Sequence, residues 1–489
     1  MTPYFDYHAL APELVLTASI IVVLVADLFL GEDSRWRASN LAGFGVLAAL
    51  VPVLTLAADG ANRSMFGGAY VVDNYALVMK AFFLVVAYVT ILLANDYIDR
   101  GDYYRGEFYF LILSSLLGMT VMASARDLLT IFIALETLSI PTYLLAGWRK
   151  HDVKSNEASL KYYLIGVLAT AVMLYGMSMV FGITGSLRLS EIATYVSSTS
   201  EPPLLLMAIF LTLVGFAFKV SAVPFHFWAP DTYEGAPTPV TAFLSVASKA
   251  GGFVALLNLI FAGFLGRPDA WQPVLWSLAA ASMTVGNLIA LKQTNIVRML
   301  AYSSIAQGGF MLVPFAVAGD SVRASGSAFE AVIVYMLIYG AMHLGAFAVV
   351  IAVSQRTRSA ELESYSGLFQ YAPGLAVLMS VFLFSLAGIP FFGGWFAKFV
   401  VFRAVLDAGT TVSVVLGVIA AVNSVIALYY YAGVARLMWF REPTVGDRSP
   451  IVVPAPLGIA IGLTGAAVVA TGVYPQLIAR LGELARLGT

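Results

Sequence analysis

The stretch that decides the fold is FAFKVSAVPFHFW, residues 216–228. It places Lys219 inside an apolar run and puts Pro224 five residues later. Because a proline nitrogen has no hydrogen to donate, Pro224 leaves the carbonyl of Val220 without its helical partner. A freed carbonyl and an ammonium group inside an apolar run both need water or a polar side chain. The stretch therefore predicts an apolar helix that is interrupted beside a buried charge.

The rest of the chain is as apolar as this stretch. Of its 489 residues, 60% are hydrophobic and 11% are charged, whereas soluble domains carry about 25% charged residues. Apolar runs of roughly 20 residues, enough to cross a ~30 Å hydrocarbon core as a helix, recur from end to end. The sequence therefore predicts an all-α polytopic membrane protein without a sizeable soluble domain.

The apolar runs predict about fourteen transmembrane helices. They also divide the chain into four segments, namely an N-terminal three-helix segment (1–105), two five-helix repeats (106–265 and 266–440) and a C-terminal helix (441–489). The predicted helix bounds are 11–31, 40–58, 72–96, 106–124, 126–148, 159–182, 203–223, 238–263, 271–291, 296–318, 328–353, 373–406 with a break inside, 411–438 and 453–473.

A second stretch, LAGIPFFGGWFAK at residues 386–398, repeats the Pro-Phe pattern around Pro390 inside the twelfth predicted helix. The helices around the seventh and the twelfth then align as two copies of a five-helix unit. An odd number of helices makes consecutive copies lie upside down, and inverted repeats with broken helices are typical of transporters. The alternative is that proline and glycine are simply frequent in membrane helices; we favour the inverted repeat.

The connections between the predicted helices differ in their positive charge. Those after odd-numbered helices hold most of the arginines and lysines, and the positive-inside rule assigns such connections to the inner side. Both termini are then predicted on the outer side. The charges on the predicted inner side are Arg35, Arg37, Arg100, Arg105, Arg149, Lys150, Lys154, Lys292, Arg356, Arg358, Arg441 and Arg448.

Four charged side chains lie well inside predicted helices. Each costs roughly 2.5–3.5 kcal/mol to place at the centre of a membrane helix. Because they are too far from the helix ends to reach the headgroups, we expect them to face the bundle interior or an internal file of water. They are Glu136, Lys219, Lys249 and Lys398.

Glu136 and Lys219 together are a candidate proton switch. Burial disfavours an ammonium group and a carboxylate within ~4–6 Å favours it, so a lysine between these influences can take up or release a proton. The alternative for this pair is a static ion pair that only fixes helix packing. Lys249 and Lys398 have no acid near them in the sequence, so for them we favour the proton-carrying role.

Four further residues are weaker candidates for the same path. Lys161 opens the sixth helix, where an ordinary interfacial lysine is an equal alternative. His343 lies mid-helix, where a histidine either titrates near neutrality or only packs. Glu107 opens the fourth helix, where a solvated acid is the default interpretation. His226 follows Pro224 by two residues and either bonds freed carbonyls or lines a water path.

The residue content excludes several chemistries. A chain without cysteine forms no disulfide, thiolate iron–sulfur cluster or cysteine–zinc site, and its four histidines show no metal-ligand spacing. A net charge of −1 argues against a nucleic-acid partner. Nucleophile–base pairs, phosphate-binding glycine loops and dinucleotide fingerprints are also missing from the sequence. We therefore expect no cofactor and no catalytic site on this chain.

Four motifs carry a resemblance to a known family. They are LETLS (135–139), NEASLKY (156–162), HFWAPDTYEGAPTPVTAFL (226–244) and AGIPFFGGWFAK (387–398). With these motifs the chain resembles the antiporter-like membrane subunits of respiratory complex I, the NADH–quinone oxidoreductase. The resemblance covers essentially all of the predicted helices.

The resemblance implies two inverted five-helix units with broken helices 7 and 12 and a hydrophilic axis through the membrane. It implies proton translocation in a bacterial inner membrane, driven by NADH oxidation and quinone reduction in partner subunits. Those partners would hold the NADH, flavin, iron–sulfur clusters and quinone. The residues that match positions used by the family are Glu136, Lys219, Lys249, Lys398, Glu107 and Lys161.

The two halves of the chain are not identical. Lys219 precedes Pro224 by five residues, whereas Lys398 follows Pro390 by eight, and the second half has no counterpart of Glu136. The halves are therefore not expected to titrate alike. Two other functions stay open, namely a subunit of a multi-subunit sodium–proton antiporter and a structural membrane scaffold.

Overall fold

The computed structural model describes residues 5–29, 37–101, 106–198, 203–443 and 449–487. Arg35, Arg105 and Arg448 of the predicted inner charges lie outside these residues. The helices are α1 Ala11–Phe29, α2 Arg37–Asp59, α3 Asn74–Arg100, α4 Gly106–Ser124, α5 Leu128–Ala146, α6 Val153–Thr184, α7 Leu189–Ser198, α8 Pro203–Lys219, α9 Trp228–Gly235, α10 Thr238–Phe243, α11 Lys249–Leu259, α12 Pro268–Ala290, α13 Ile296–Val317, α14 Val322–Thr357, α15 Leu368–Tyr371, α16 Pro373–Ala387, α17 Gly393–Ala408, α18 Thr411–Phe440, α19 Ala455–Val473 and α20 Gln476–Leu484.

Membrane-crossing helices dominate the described residues. Twelve segments are long and apolar enough to span a bilayer, and α8 and α16 are two shorter apolar helices. Both shorter helices end at the places where the sequence predicts a break. The prediction of a multi-pass helical membrane protein is therefore confirmed.

Side chains at several helix starts bond backbone N–H groups that have no partner within the helix. Asp73 accepts a hydrogen bond from the Ala76 N–H at 2.8 Å, and Asp127 accepts one from the Thr130 N–H at 2.7 Å. Such a cap is worth about 1 kcal/mol and fixes the residue at which the helix begins. The other capping side chains include Asp152 for α6, Asn295 for α13, Ser321 for α14 and Thr410 for α18.

The seventh predicted helix breaks directly after Lys219. That residue is the last of α8, and the next helix, α9, begins at Trp228. Within the break, Ser221 has a positive φ of 59°, a conformation that L-residues adopt only at a cost. The Val223 N–H donates to Ser282 Oγ at 2.9 Å. Side-chain hydroxyls thus replace helical carbonyls as backbone partners in this stretch.

The twelfth predicted helix breaks after Ala387, and α17 begins at Gly393. Gly388 has a φ of 91° and closes α16 by donating its N–H to Ser385 O at 2.9 Å. Gly394 approaches the end of α16 so closely that an added Cβ would lie 1.7 Å from Ser385 O. The two half-helices therefore meet at a contact that only glycine permits.

The structure also contains short elements that the apolar runs do not predict. An antiparallel hairpin of β1 (Arg63–Met65) and β2 (Tyr70–Val72) pairs Met65 with Tyr70 between α2 and α3. The helix α7 buries Leu189, Ile192 and Val196 along one face. These elements are too short or too amphipathic to be found by a search for membrane-length apolar runs. The prediction of an all-α chain is therefore incomplete by one small hairpin.

The chain forms two compact units. The first comprises residues 1–220, 247–271 and 483–489, and the second comprises residues 221–246 and 272–482. In the first unit, α11 packs against α4, α5 and α8. In the second unit, α14 is central and packs against α10, α13, α16, α17 and α19. Both central helices carry residues singled out in the sequence, since Lys249 opens α11 and His343 lies in α14.

The close contact at Gly394 yields a prediction about stability. Gly394→Ala should lower the free energy of unfolding by about 1–3 kcal/mol, the usual penalty for overpacking, because the new methyl group meets a backbone carbonyl. The control is Gly374→Ala in α16, where an added Cβ meets nothing within 4 Å. Thermal unfolding of the purified protein measures both. Equal unfolding temperatures for the two variants would contradict this account of the break.

Candidate functional site

Lys219 is buried at the C-terminal end of α8, with 2% of its surface exposed. Its Nζ donates to Ser139 Oγ at 2.8 Å and to Tyr162 OH at 3.3 Å. The partial negative charge at a helix C-terminus favours a cation there. Both partners are hydroxyls, which donate and accept hydrogen bonds. Lys219 therefore has partners that remain suitable whether or not it carries its proton.

Glu136 lies on α5 one turn before Ser139, and residues three apart share a helix face. Within the described residues, no nitrogen–oxygen distance of 4.0 Å or less joins Glu136 to Lys219. The Glu136 Oε1 atom is buried and has no hydrogen-bond partner there. The static ion pair considered from the sequence is thus absent from this arrangement, and Ser139 is the residue that connects the two side chains.

Lys249 is buried, with 1% of its surface exposed, and follows a π-helical turn at Leu244–Ser248. Such turns are frequent at functional sites, and the sequence pattern gave no sign of this one. One turn after Lys249, an added Cβ on Gly252 would lie 3.0 Å from Lys219 Cγ. The two lysines therefore flank one close contact between α8 and α11.

Lys398 lies on α17, with 6% of its surface exposed. Its Nζ donates to Ala387 O at 2.7 Å and lies 4.7 Å from the centroid of the Phe310 ring. Ala387 is the last residue of α16, and the last carbonyls of a helix have no partner within it. The break in the twelfth helix thus supplies the acceptor for a lysine that has no hydroxyl partner of its own.

A network of hydroxyl and amide groups lies beside the same break. Gln307 on α13 donates from Nε2 to Leu386 O at 3.0 Å and to Tyr431 OH at 3.4 Å. Its Oε1 accepts a hydrogen bond from Tyr335 OH. Tyr431 OH also forms a hydrogen bond with Ser303 Oγ. Sequence reasoning missed these residues, because an uncharged polar side chain in an apolar run leaves no pattern.

Both histidines singled out in the sequence are buried. His343 stacks on Tyr339 with ring centroids 4.9 Å apart, and Tyr339 OH donates to Ser304 Oγ at 3.1 Å. His226 lies in the break after α8, two residues beyond Pro224. The structure therefore places one histidine in the hydroxyl-rich core of the second unit and the other in a helix break.

Lys161 and Glu107 lie nearer the surface. Lys161 Nζ forms an ion pair with Glu157 Oε1 at 2.7 Å, and 41% of the lysine side chain is exposed. Glu107 is exposed in the first turn of α4. Neither residue has the burial of the three core lysines, so a role for either is confined to the entrance of a path.

A cavity of about 830 Å³ connects the surface to the surroundings of Lys219. Tyr143 lines this cavity, and its ring lies 4.6 Å from the ring of Tyr162. Tyr162 is in turn a hydrogen-bond partner of Lys219. The polar residues that also line the cavity are Glu107, Lys150, Asn156, Ser159 and Tyr163.

A second group of buried charges was missed in the sequence. Lys80 on α3 is fully buried, forms an ion pair with Glu13 at 2.9 Å and donates to Tyr70 OH at 2.7 Å. Nearby in the chain, Arg126 donates to Asp73 Oδ2 at 2.8 Å. Lys80 lies eight residues inside the third predicted helix, so the search that found Lys219 would have found Lys80 as well.

Known proteins similar to the chain identify its family. Residues 125–424 match the family model described as "NADH:quinone oxidoreductase/Mrp antiporter, TM". The NADH-quinone oxidoreductase subunit N of Trichlorobacter lovleyi is 39% identical, over 98% of this chain and 97% of that relative. The chain belongs to the NADH:quinone oxidoreductase/Mrp antiporter family.

Solved structures of similar proteins share the fold. A chain of respiratory complex I from Thermus thermophilus with bound aureothin has a TM-score of 0.78 and 32% identity, covering 96% of this chain and 98% of that one. A chain of the Mrp complex from Dietzia sp. DQ12-45-1b has a TM-score of 0.84 and 22% identity, covering 98% and 96%. At 22% identity the second likeness is one of fold alone.

The segment matched by the family model contains most of the candidate residues. Glu107 lies before residue 125 and outside the matched segment, as do Glu13 and Lys80. Across the described residues, no three or more histidine, aspartate and glutamate side chains form a group that could hold a metal ion. In this member of the family, the lysines with their hydroxyl and carbonyl partners are the chemistry of the matched segment.

The buried pair of Lys80 and Glu13 yields a second prediction. Lys80→Met should destabilise the protein by about 3–5 kcal/mol, because it leaves the Glu13 carboxylate buried without its cation. Adding Glu13→Gln should restore much of the loss. The unfolding temperature of the purified protein measures the single and double variants.

An exposed ion pair is the control for this cycle. The Glu191 side chain is 54% exposed in its pair with Arg188, so Glu191→Gln should change the stability by less than about 1 kcal/mol. An equally small effect of Lys80→Met would show that the buried pair does not stabilise the fold.

Proposed function

We propose that the chain is a proton-translocating subunit in the membrane arm of a bacterial NADH–quinone oxidoreductase, most similar to subunit N. NADH oxidation and quinone reduction in partner subunits drive changes in the protonation of its lysines. One observation carries the proposal. Three lysines, at positions 219, 249 and 398, are at most 6% exposed in a chain 39% identical to a subunit N over 98% of its length.

The surroundings of Lys219 suit the transfer of a proton. As an ammonium group it donates to Ser139 and Tyr162. After losing a proton it becomes an amine, which accepts a hydrogen bond from either hydroxyl once that hydroxyl rotates. Glu136, one turn from Ser139, favours the charged lysine by attraction. A change in the distance between the carboxylate and the amine therefore sets how readily the proton leaves.

The other candidate residues have defined places in the proposed path. Lys249 and Lys398 are the further proton carriers, and His343 is a titratable group within the hydroxyl-rich core of the second unit. Lys161 and Glu107 lie at the entrance to Lys219. The residues that keep the two helix breaks open to water are Pro224, His226 and Pro390.

The energy for transport comes from outside this chain. Moving one charge through 100 mV costs roughly 2.3 kcal/mol, and we assign no redox site and no cofactor to this chain. NADH, flavin, iron–sulfur clusters and quinone belong to partner subunits of the oxidoreductase. The chain lies in the inner membrane, with both termini on the outer, periplasmic side. Its segments are 1–105, 106–265, 266–440 and 441–489.

A subunit of a sodium–proton antiporter is the nearest alternative, since the chain also has the fold of a subunit of an Mrp complex. The names of the relatives favour the oxidoreductase. The relatives at 38–39% identity from Trichlorobacter lovleyi and Desulforamulus reducens are both called NADH-quinone oxidoreductase subunit N. A structural scaffold predicts instead that the lysines matter only for assembly.

Three lysine variants test the proposed function. Lys219→Ala and Lys249→Ala should leave the complex assembled and lower NADH-driven proton uptake into inverted membrane vesicles, because each removes a buried proton carrier. Lys398→Ala is measured alongside them. The control is Lys292→Ala, which removes an exposed lysine from the connection between α12 and α13.

The content of assembled complex separates the possible functions. Proton uptake is divided by this content, which is measured as NADH oxidation with an artificial acceptor. Normal uptake per complex in all three buried-lysine variants would refute proton carriage. Reduced assembly with normal uptake per complex would support the scaffold.

A further inference from the structure

We propose that Tyr430, Tyr431 and Gln307 form a route by which protons reach Lys398 from a surface cavity beside the connection between α12 and α13. The proposal rests on the proposed function, because it supplies the access that Lys398 needs as a proton carrier. In this route Lys398 exchanges protons with water through its own unit.

The route begins at a cavity of about 650 Å³ lined by α12, α13 and α18. Its lining includes Gln293, Arg436, Tyr429 and Tyr430. Arg436 and Tyr429 are exposed, so the mouth of the cavity is polar and open. The connection between α12 and α13 carries Lys292, and the positive-inside rule assigns it to the inner side.

Tyr430 leads from the cavity into the core. Only 6% of its surface is exposed, whereas Tyr431 is fully buried, and their ring centroids are 4.3 Å apart. Tyr430 OH donates to Asn287 Oδ1 at 3.0 Å, and Tyr431 OH bonds Ser303 Oγ. Two adjacent residues therefore carry phenol hydroxyls from the cavity wall into the interior.

Gln307 continues the route from Tyr431 towards Lys398. Its Nε2 donates both to Tyr431 OH and to Leu386 O, and Lys398 Nζ donates to Ala387 O. These carbonyls belong to consecutive residues, whose Cα atoms are about 3.8 Å apart. Carbonyls freed at a helix break are normally satisfied by water or polar groups. Gln307 positions the carbonyl end, and the hydroxyls and water relay the proton.

The first unit contains the same order of groups around another lysine. There the cavity-lining residue is Tyr143, its ring neighbour is Tyr162, and Tyr162 OH accepts a hydrogen bond from Lys219. That cavity lies at the connection between α5 and α6, where Lys150 contributes to its wall. A cavity, two contacting tyrosines and a buried lysine thus occur twice, with different residues and helices.

A packing role for the hydroxyls is the competing explanation. Buried tyrosines usually find a hydrogen-bond partner, and the Tyr431 hydroxyl could simply satisfy Ser303 and Gln307. Packing predicts that losing this hydroxyl changes stability alone. A proton route predicts slower turnover of the assembled complex, with a rate that depends on the mass of the transferred hydrogen.

The first experiment removes the Tyr431 hydroxyl. In inverted vesicles containing the whole complex, Tyr431→Phe should lower NADH-driven proton uptake per assembled complex by about fivefold, the loss expected when one hydrogen bond in the path is missing. The solvent deuterium isotope effect should rise. The matched control is Tyr365→Phe, since Tyr365 is buried and its hydroxyl has no partner in the described residues.

The second experiment blocks the cavity and leaves the core intact. Gly433 lines the cavity, and an added Cβ there meets nothing within 4 Å. The chain has no cysteine, so Gly433→Cys introduces its single thiol. A water-soluble, bulky thiol reagent added to inverted vesicles should lower proton uptake by about fivefold. Gly374→Cys, equally open but outside the cavity, is the control, and the cysteine-free chain corrects for thiols of partner subunits.

The outcomes distinguish the route from the function. If Lys398→Ala lowers proton uptake whereas Tyr431→Phe and the modified Gly433→Cys leave it and the isotope effect normal, the route is wrong and the proposed function stands. If Lys398→Ala has no effect, Lys398 is not a carrier and the route fails with it. If Tyr431→Phe prevents assembly, the response of modified Gly433→Cys decides.

Discussion

A charged amine in an apolar interior must have a polar partner, and the rest of this structure depends on how that requirement is met. Breaking a membrane helix creates such partners, because the last carbonyls of a helix have no hydrogen-bond donor within it. Lys219 is itself the last residue of α8, and Lys398 donates to the last carbonyl of α16. The breaks and the lysines are therefore one feature, since each satisfies the polar groups that the other leaves exposed.

The two units meet this requirement with different partners. The ammonium group of Lys219 contacts hydroxyls contributed by α5 and α6, whereas that of Lys398 contacts a backbone carbonyl across the break. The difference follows from the order of the residues, because Lys219 precedes its proline and Lys398 follows Pro390. Only the first arrangement has a carboxylate nearby on the chain that supplies the hydroxyl. The units therefore hold their protons by different means, although both helices are broken.

Sequence reasoning found the features that have a one-dimensional signal. The Pro-Phe stretches located both helix breaks, and charge deep within apolar runs located the buried lysines. The partners of those lysines could not be predicted, because Ser139 and Gln307 are ordinary residues until the fold brings them to an ammonium group. Likewise, the distance between Glu136 and Lys219 depends on how α5 packs against α8. Lys80 was overlooked despite its signal, since attention went to motifs around the prolines.

The carbonyl acceptor of Lys398 has a consequence for how this site tolerates mutation. Every amino acid carries a main-chain oxygen, so a substitution at Ala387 changes the side chain and keeps the atom that Lys398 contacts. Ser139 offers no such protection, because a single codon change to alanine deletes its hydroxyl. Sequence drift at position 387 is therefore compatible with an unchanged lysine site, whereas drift at position 139 directly alters the surroundings of Lys219.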